Sequence, residues 1–168
     1  MELTKEIIKQ QLTDKFGDQL FDWQEPYGML TFSAIKELNL KIMQFLFDKE
    51  DLQFRFLTDL TGIHYPDNKG AELGVVYHLH NLEKNIRIRF KVFMDINNPE
   101  VFSATALYQG ANWMERETFD FYGIRFVGHP NLIRILNVDE MDYFPMRKEF
   151  PLEDQSRIDK DDEMFGRG

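Results

Sequence analysis

The run IRIRFKVFM, residues 86–94, constrains the fold more than any other stretch of the chain. Apolar Ile86, Ile88, Phe90 and Val92 alternate with Arg87, Arg89 and Lys91. Successive side chains of a strand point to opposite faces, so this order gives one apolar face and one basic face. Wound as a helix, the same residues would scatter both kinds around the axis. The alternation predicts a sheet with one face on a core and one in water, the common condition of antiparallel sheets. A polar link of hairpin length, NLEKN, joins it to ELGVVYHLH, where Leu73, Val75, Tyr77 and Leu79 share one face. Upstream, LQFRFLTDLTGIHYP reads as a strand that loosens at Thr61-Gly62.

Helical periodicity flanks this sheet. Leu3, Ile7, Ile8 and Leu12 form one face of an amphipathic helix that ends near Gly17. QEPYGMLTF then breaks the pattern with Pro26 and Gly28, and a short strand follows. Ser33 is placed to cap a second helix with the stripe Ile35, Leu38, Ile42, Phe45 and Leu46. NNPE, residues 97–100, is a turn, after which a helical region comes in two pieces broken near Gly110. Past Pro130 the regular pattern fades, and Pro145, Pro151 and scattered charges predict an extended arm. The expected fold is α+β, a mainly antiparallel or mixed sheet packed by helices. The expected organisation is a core domain over 1–130 and an arm over 131–168 that docks on a partner.

Composition narrows the function. The chain has no cysteine, which excludes disulfides, thiolate zinc sites and an iron–sulfur cluster held by its own thiolates. Its formal net charge of -9 makes it a poor general binder of nucleic acid. From residue 139 onward ten acidic residues face five basic ones, so the arm holds much of that excess. Sixteen phenylalanines need a core or an interface. The N-terminus lacks the apolar run of a signal peptide, and no stretch approaches the roughly 20 apolar residues of a membrane span. The chain is expected to be soluble and cytoplasmic, reaching a membrane only through a partner.

NWMERETFDFYGIRFVGHP, residues 112–130, mixes charge with aromatic rings. Asn112 and Glu115 have the spacing of a capping box, Gly123 suits the residue that ends the helix, and Arg116 and Asp120 are spaced to pair on its outer face. GIRFVG comes next as a short strand and GHP as a turn in which His129 bonds backbone. Glu117 lies on the side of Trp113 and Phe121, so it either reaches water or meets a cation, the candidates being Arg125, Arg134 and Arg147. Glu115 and Glu117 diverge by roughly 200° on a helix and cannot flank one substrate bond. No nucleophile stands in a recognisable setting. His78 and His80 share a strand face but lack a third metal ligand, and solvent-facing histidines are the commoner case. DKDDE, residues 159–163, lacks the Gly and distal Glu of a calcium loop. The Arg87, Arg89 and Lys91 row is a wet sheet face or a contact for an acidic partner rather than a nucleic-acid site.

ERETFDFYGIRFVGHPNLIRIL, residues 115–136, resembles the hallmark of the C subunit of respiratory NADH–quinone oxidoreductase, complex I, the family of the mitochondrial 30-kilodalton subunit. The match falls on Glu115, Arg116, Glu117, Asp120, Tyr122, Gly123, Ile124, Phe126, Gly128, His129, Pro130, Leu132 and Arg134. A second block, PMRKEFP, resembles the family's P-L-R-K-D-F/Y-P through Pro145, Arg147, Lys148, Phe150 and Pro151. Met146 replaces a leucine, and Met141 and Tyr143 stand in a loop where the family usually has Trp and Gly. The resemblance implies a scaffold that docks on the D subunit and its neighbours in the hydrophilic arm, at the cytoplasmic face of the bacterial inner membrane. It implies no catalytic or metal residue and no cofactor on this chain, within a complex that uses FMN, iron–sulfur clusters, NADH and quinone. Related membrane-bound hydrogenases and complexes with other donors share the signature, so the equivalent chain of one of those is the alternative.

Overall fold

The structure is a computed structural model and describes residues 3–150. Pro151, the DKDDE run and the other acidic residues from Glu153 onward lie outside the described residues. Helix α1 (Lys5–Phe16) begins at Thr4, whose hydroxyl accepts the Ile7 N–H, and ends at Gly17 with φ 56°. Strands β1 (Leu20–Gln24), β2 (Leu30–Ala34), β3 (Phe56–His64), β4 (Leu73–Asn81) and β5 (Ile86–Met94) form one sheet in the order β1-β2-β5-β4-β3. Within it only the β2–β5 pair is parallel, so the sheet is mixed. Helix α2 (Asn39–Asp48) lies between β2 and β3 in the chain, and α3 (Ala111–Tyr122) comes after a short strand β6 (Glu100–Phe102). Strand β6 pairs in parallel with β7 (Arg125–Val127).

The period-2 reading of β5 holds. Strand β4 is instead buried on both faces: Val76 and His80 on its other side are buried too, and only His78 is half-buried. His80 therefore does not face solvent as expected. Leu73, Val75, Tyr77 and Leu79 are fully buried, as are Ile88, Phe90 and Val92, while Ile86 is half-buried. The NLEKN link turns because the Asn81 side chain accepts the Lys84 N–H at 2.8 Å and Asn85 takes φ 51°. Across the buried face runs an aromatic ladder. Trp23 lies 4.7 Å from Phe32, Phe32 stacks on Phe90 at 5.6 Å, and Phe90 stacks on Tyr77 at 4.6 Å. Each such pair adds about 1 kcal/mol beyond burial. The phenol of Tyr77 accepts from the Asn39 amide at 3.2 Å, and the same amide donates to the Phe102 carbonyl at 2.6 Å. One buried side chain thereby ties α2 to both sheets.

Three local expectations give way to tertiary context. Ser33 caps nothing: it sits inside β2, whose five residues are all buried, and α2 starts at Asn39 after a 3-10 turn at Lys36–Leu38. Pairing on both sides overrides its capping propensity. Strand β3 does not loosen at Thr61-Gly62. Gly62 stays in the ladder because a Cβ there would fall 2.4 Å from the Tyr122 ring, so its bare backbone is the seat of α3. The first helical piece expected after the NNPE turn is instead β6 and a run of turns, with Gly110 the cap of α3.

Candidate functional site

The candidate site is α3 with the chain that returns over it. Asn112, Arg116 and Asp120 recur at four-residue spacing, which aligns them along one face of α3. Residues 129–137 run beside that face. His129 Nε2 meets the Asn112 carbonyl at 3.1 Å. Its Nδ1 accepts the Asn131 N–H at 3.0 Å, so the proton sits on Nε2. Arg116 donates to the carbonyls of Ile133 at 3.2 Å and Arg134 at 3.0 Å. The Asp120 carboxylate accepts the backbone N–H groups of Ile135, Leu136 and Asn137 at 3.1, 2.8 and 2.9 Å. Arg116 and Asp120 therefore do not pair with each other. Each holds a different part of the returning chain.

Asp120 is the centre of this arrangement. It is fully buried, and Arg134 Nη1 lies 2.7 Å from Oδ1. Burial alone would raise its pKa. The N–H groups of Asn137 and Leu136, the Arg134 guanidinium and the Asn137 amide outweigh that and hold the carboxyl well below the ordinary range. Arg134 continues inward, donating to the carbonyls of Met141 at 2.6 Å and Tyr143 at 3.2 Å. The loop where Met141 and Tyr143 depart from the family pattern is thus fixed through backbone, which is indifferent to those side chains.

Phe144 closes the far end, with the guanidinium groups of Arg134 and Arg147 over its ring at 5.3 and 4.8 Å. Arg147 Nε donates to the Tyr122 carbonyl at 2.8 Å, and the Lys148 N–H reaches His64 Nδ1 on β3 at 3.0 Å. Gly123 ends α3 at φ 76°, and a Cβ there would meet the Phe144 ring at 2.5 Å. Its need for glycine is therefore both conformational and steric. Phe144 and His64 carry no local signal in sequence, because their partners are distant along the chain.

The capping box is not formed. Asn112 lies inside α3, and Glu115 is fully buried with its carboxylate turned to the chain before the helix. Its Oε1 accepts the Ala104 N–H at 2.6 Å and its Oε2 the Ser103 hydroxyl at 2.7 Å. The Ser103–Thr105 hydroxyl pair, 2.8 Å apart, completes the group. Burial pushes the Glu115 pKa up to about 7 against those two hydrogen bonds. The carboxylate buried among apolar side chains is thus Glu115, whereas Glu117 is exposed. The three arginines that are candidate partners for Glu117 are engaged elsewhere: Arg125 pairs with Glu100, Arg134 with Asp120, and Arg147 with the Tyr122 carbonyl.

The two glutamates lie on opposite sides of the helix, as their spacing requires, and share no substrate site. Among the described residues no group of three or more His, Asp or Glu could hold a metal. His78 Nδ1 lies 3.7 Å from Asp59, too far for a hydrogen bond, and His80 meets the Asn85 side chain at 3.3 Å. Among the described residues no helix is long and apolar enough to cross a membrane.

Helix α3 and the returning chain, its strap, present several large apolar side chains to solvent. Trp113 is 58% exposed, Leu136 65% and Val138 62%, with Ile133, Tyr143 and Met146 also open. Glu117, Asp139, Glu140 and Asp142 are exposed as well. Arg116, Arg134 and Arg147 of the signature face backbone carbonyls instead.

Residues 33–156 match the family described as "Respiratory-chain NADH dehydrogenase, 30 Kd subunit". The C 2 subunit of NADH-quinone oxidoreductase from Rhizobium etli is 38% identical over 90% of this chain and 80% of its own length. The C subunit of the same complex from Citrifermentans bemidjiense is 37% identical over 93% of this chain and 94% of its own. A solved trypsin-resistant fragment of Nqo5 superposes with a TM-score of 0.64 at 27% identity, covering 76% of this chain and 98% of the fragment. The matched range includes α3 and the chain that returns over it, and this chain belongs to the family of the 30 Kd subunit of respiratory-chain NADH dehydrogenase.

Proposed function

We propose that this chain is a non-catalytic part of the hydrophilic arm of NADH–quinone oxidoreductase, docked on the D subunit at the cytoplasmic face of the bacterial inner membrane. It holds no flavin, cluster or quinone of its own, and supports electron flow from NADH to quinone by fixing its neighbours in place. One observation carries the reading. The charged signature residues are engaged inside the fold, while Trp113, Leu136 and Val138 stand open on a rigid platform. Open aromatic and aliphatic side chains on a preorganised surface are what a partner buries at the centre of an interface. The exposed acids Glu117, Asp139, Glu140 and Asp142 suit basic residues on the partner. Glu115, Arg116, Asp120, Tyr122, Gly123, His129, Pro130, Arg134, Arg147 and Lys148 build the platform, and Glu117 is exposed on α3 beside it in sequence.

The test is purification of the tagged chain from its native membranes in mild detergent, with mass spectrometry of the proteins that accompany it. A protein like the D subunit, with NADH-oxidising partners, is expected. The Trp113→Ser/Leu136→Ser/Val138→Ser variant should melt like the parent yet lose those partners. Recovery of a hydrogenase large subunit would establish the related complex instead. A chain that purifies alone from soluble extract would overturn the reading.

A further inference from the structure

The outer face of the five-stranded sheet carries a basic row. Register sets Arg87, Arg89 and Lys91 of β5 beside His80, His78 and Val76 of β4, and sets Arg89 and Lys91 beside Thr31 and Ser33 of β2. Thr31, Ser33 and Val76 are buried, whereas Arg89 and Lys91 are half-buried and Arg87 is exposed. The stems of the long side chains cover a floor of small ones and leave the charged heads at the surface. Arg89 is held in place, since its Nε–H donates to the Thr31 hydroxyl at 3.3 Å. Among the described residues none of Arg87, Arg89 and Lys91 forms an ion pair. Asp59, which register sets opposite His78 at the β3 edge, lies 3.7 Å from that histidine instead. On a chain of net charge -9 such a row is a local inversion of the molecule's field.

The row has a direction. The next position of β5 on this face is Phe93, whose ring lies over Gly74, where a Cβ would meet it at 2.8 Å. Phe93, Phe21 and Tyr65 line an open depression of about 840 Å³, with Asp22, Asp67 and Lys148 also on its wall. Phe21 and Tyr65 are 42% and 46% exposed, and Tyr65 lies 6.1 Å from Phe93. The surface thus runs from an aromatic hollow with two acids and one base to a row of three bases. From Phe93 to Arg87 it covers about 20 Å of strand.

We infer that this face docks an acidic helix of another polypeptide, with an apolar side chain and a neighbouring base at the hollow and acids at i, i+4 and i+8 along the row. A helix suits the face because it satisfies its own backbone groups, where the sheet offers only side chains. Four helical residues rise about 6 Å, and two strand residues about 6.6 Å, so one carboxylate falls near each of Lys91, Arg89 and Arg87. About 13 residues of helix span the whole surface. Asp22 and Asp67 at the hollow decide against an anionic bilayer or a phosphate backbone, which both would repel. They suit the base beside the apolar anchor. Exposed ion pairs are individually weak, and the anchor adds the apolar burial that the row alone lacks. The inference rests on the sheet alone and is independent of what docks at α3.

The test is photo-cross-linking of the tagged full chain in the intact cells that express it. Photoreactive benzoylphenylalanine replaces Tyr65 at the hollow or, separately, Phe56, which register places beside His80 at the Arg87 end. Both positions should capture one segment of another polypeptide, Tyr65 near its apolar end and Phe56 near its acidic end, within about 13 residues of each other. Arg87→Glu/Arg89→Glu/Lys91→Glu should lower both yields by about tenfold or more. Reversing the acids of the captured segment to lysine should then restore them, which a merely misfolded variant would not allow. Capture of lipid only, of a second copy of this chain, of this chain itself, or of a segment without acids would overturn the inference. So would yields that the reversed row leaves unchanged, or no capture at either position.

Discussion

Replacing Glu115 by Gln should stabilise the chain near pH 8 and change it little near pH 5, where the buried carboxyl is already protonated. The carboxyl is fully buried between α3 and the turn after β6. Burial raises its pKa from an ordinary 4.5 to about 7, although the Ser103 hydroxyl and the Ala104 N–H pull the other way. Between those pH values the folded chain keeps a proton that the unfolded chain has lost. The stability this proton contributes is fully present below the unfolded value and is lost as pH rises through the folded one. At about 1.4 kcal/mol for each tenfold in proton affinity, the difference between the two limits is about 3 kcal/mol. Gln removes the charge and keeps both contacts. Its carbonyl accepts the Ala104 N–H, its amide donates to Ser103 Oγ, and the Ser103 hydroxyl turns to Thr105 Oγ1, 2.8 Å away. Urea unfolding of both proteins across this pH range measures the effect, and comparing them cancels every other titrating group. A difference between variant and parent that changes by less than about 0.5 kcal/mol over the range would refute the reasoning.

Asp120→Asn leaves Arg134 without its anion inside the strap and should cost about 3–5 kcal/mol in chemical unfolding. Because the Asp120 pKa is depressed, its contribution is present above the unfolded carboxylate pKa and fades as pH falls through the folded value, so the parent but not the variant should weaken in acid. Gly123→Ala combines a left-handed backbone with a Cβ against Phe144 and should lose about 3 kcal/mol, read as a lowered melting temperature. Arg134→Ala frees the Met141 and Tyr143 carbonyls and uncovers Asp120, so amide exchange should accelerate in residues 135–147 while β4 and β5 keep their protection. Equal acceleration everywhere would mean that the strap unfolds only with the whole domain.

The sheet is legible because its evidence is local. Alternation in β5 is a property of neighbours, and it names the buried residues without knowledge of the fold, whereas the second face of β4 is buried by neighbours that alternation cannot see. Ser33 shows the opposite case: its capping chemistry is real, but β1 and β5 on either side of it are far away in sequence and decide the outcome. In sequence Gly62 reads as a weakness in a strand. Its meaning is set by Tyr122, a residue on a helix formed much later in the chain. Helix α3 and its end at Gly123 are likewise visible, whereas the partners of its charges are not.

The glutamates and arginines of α3 mark the gap most sharply. Helical spacing alone separates Glu115 from Glu117, but it cannot say which is inside, and the aromatic neighbours point to the wrong one. The Ser103-x-Thr105 hydroxyl pair just before the helix is the signal that selects Glu115, since buried carboxylates need donors and a turn rich in hydroxyls supplies them. The same logic reassigns the arginines. A cation in a family signature invites the thought of a partner's acid, yet Arg116, Arg134 and Arg147 all end on carbonyls of this chain. A guanidinium presents five donors, which suits it to several carbonyls of an irregular segment at once, and a segment without helix or strand has carbonyls to satisfy. The charge in the signature is what lets residues 131–150 hold a fixed shape without secondary structure. In the proposed assembly, specificity for a partner would then fall to residues the signature leaves outside, Trp113, Leu136 and Val138, and to exposed acids such as Glu117 and Asp139.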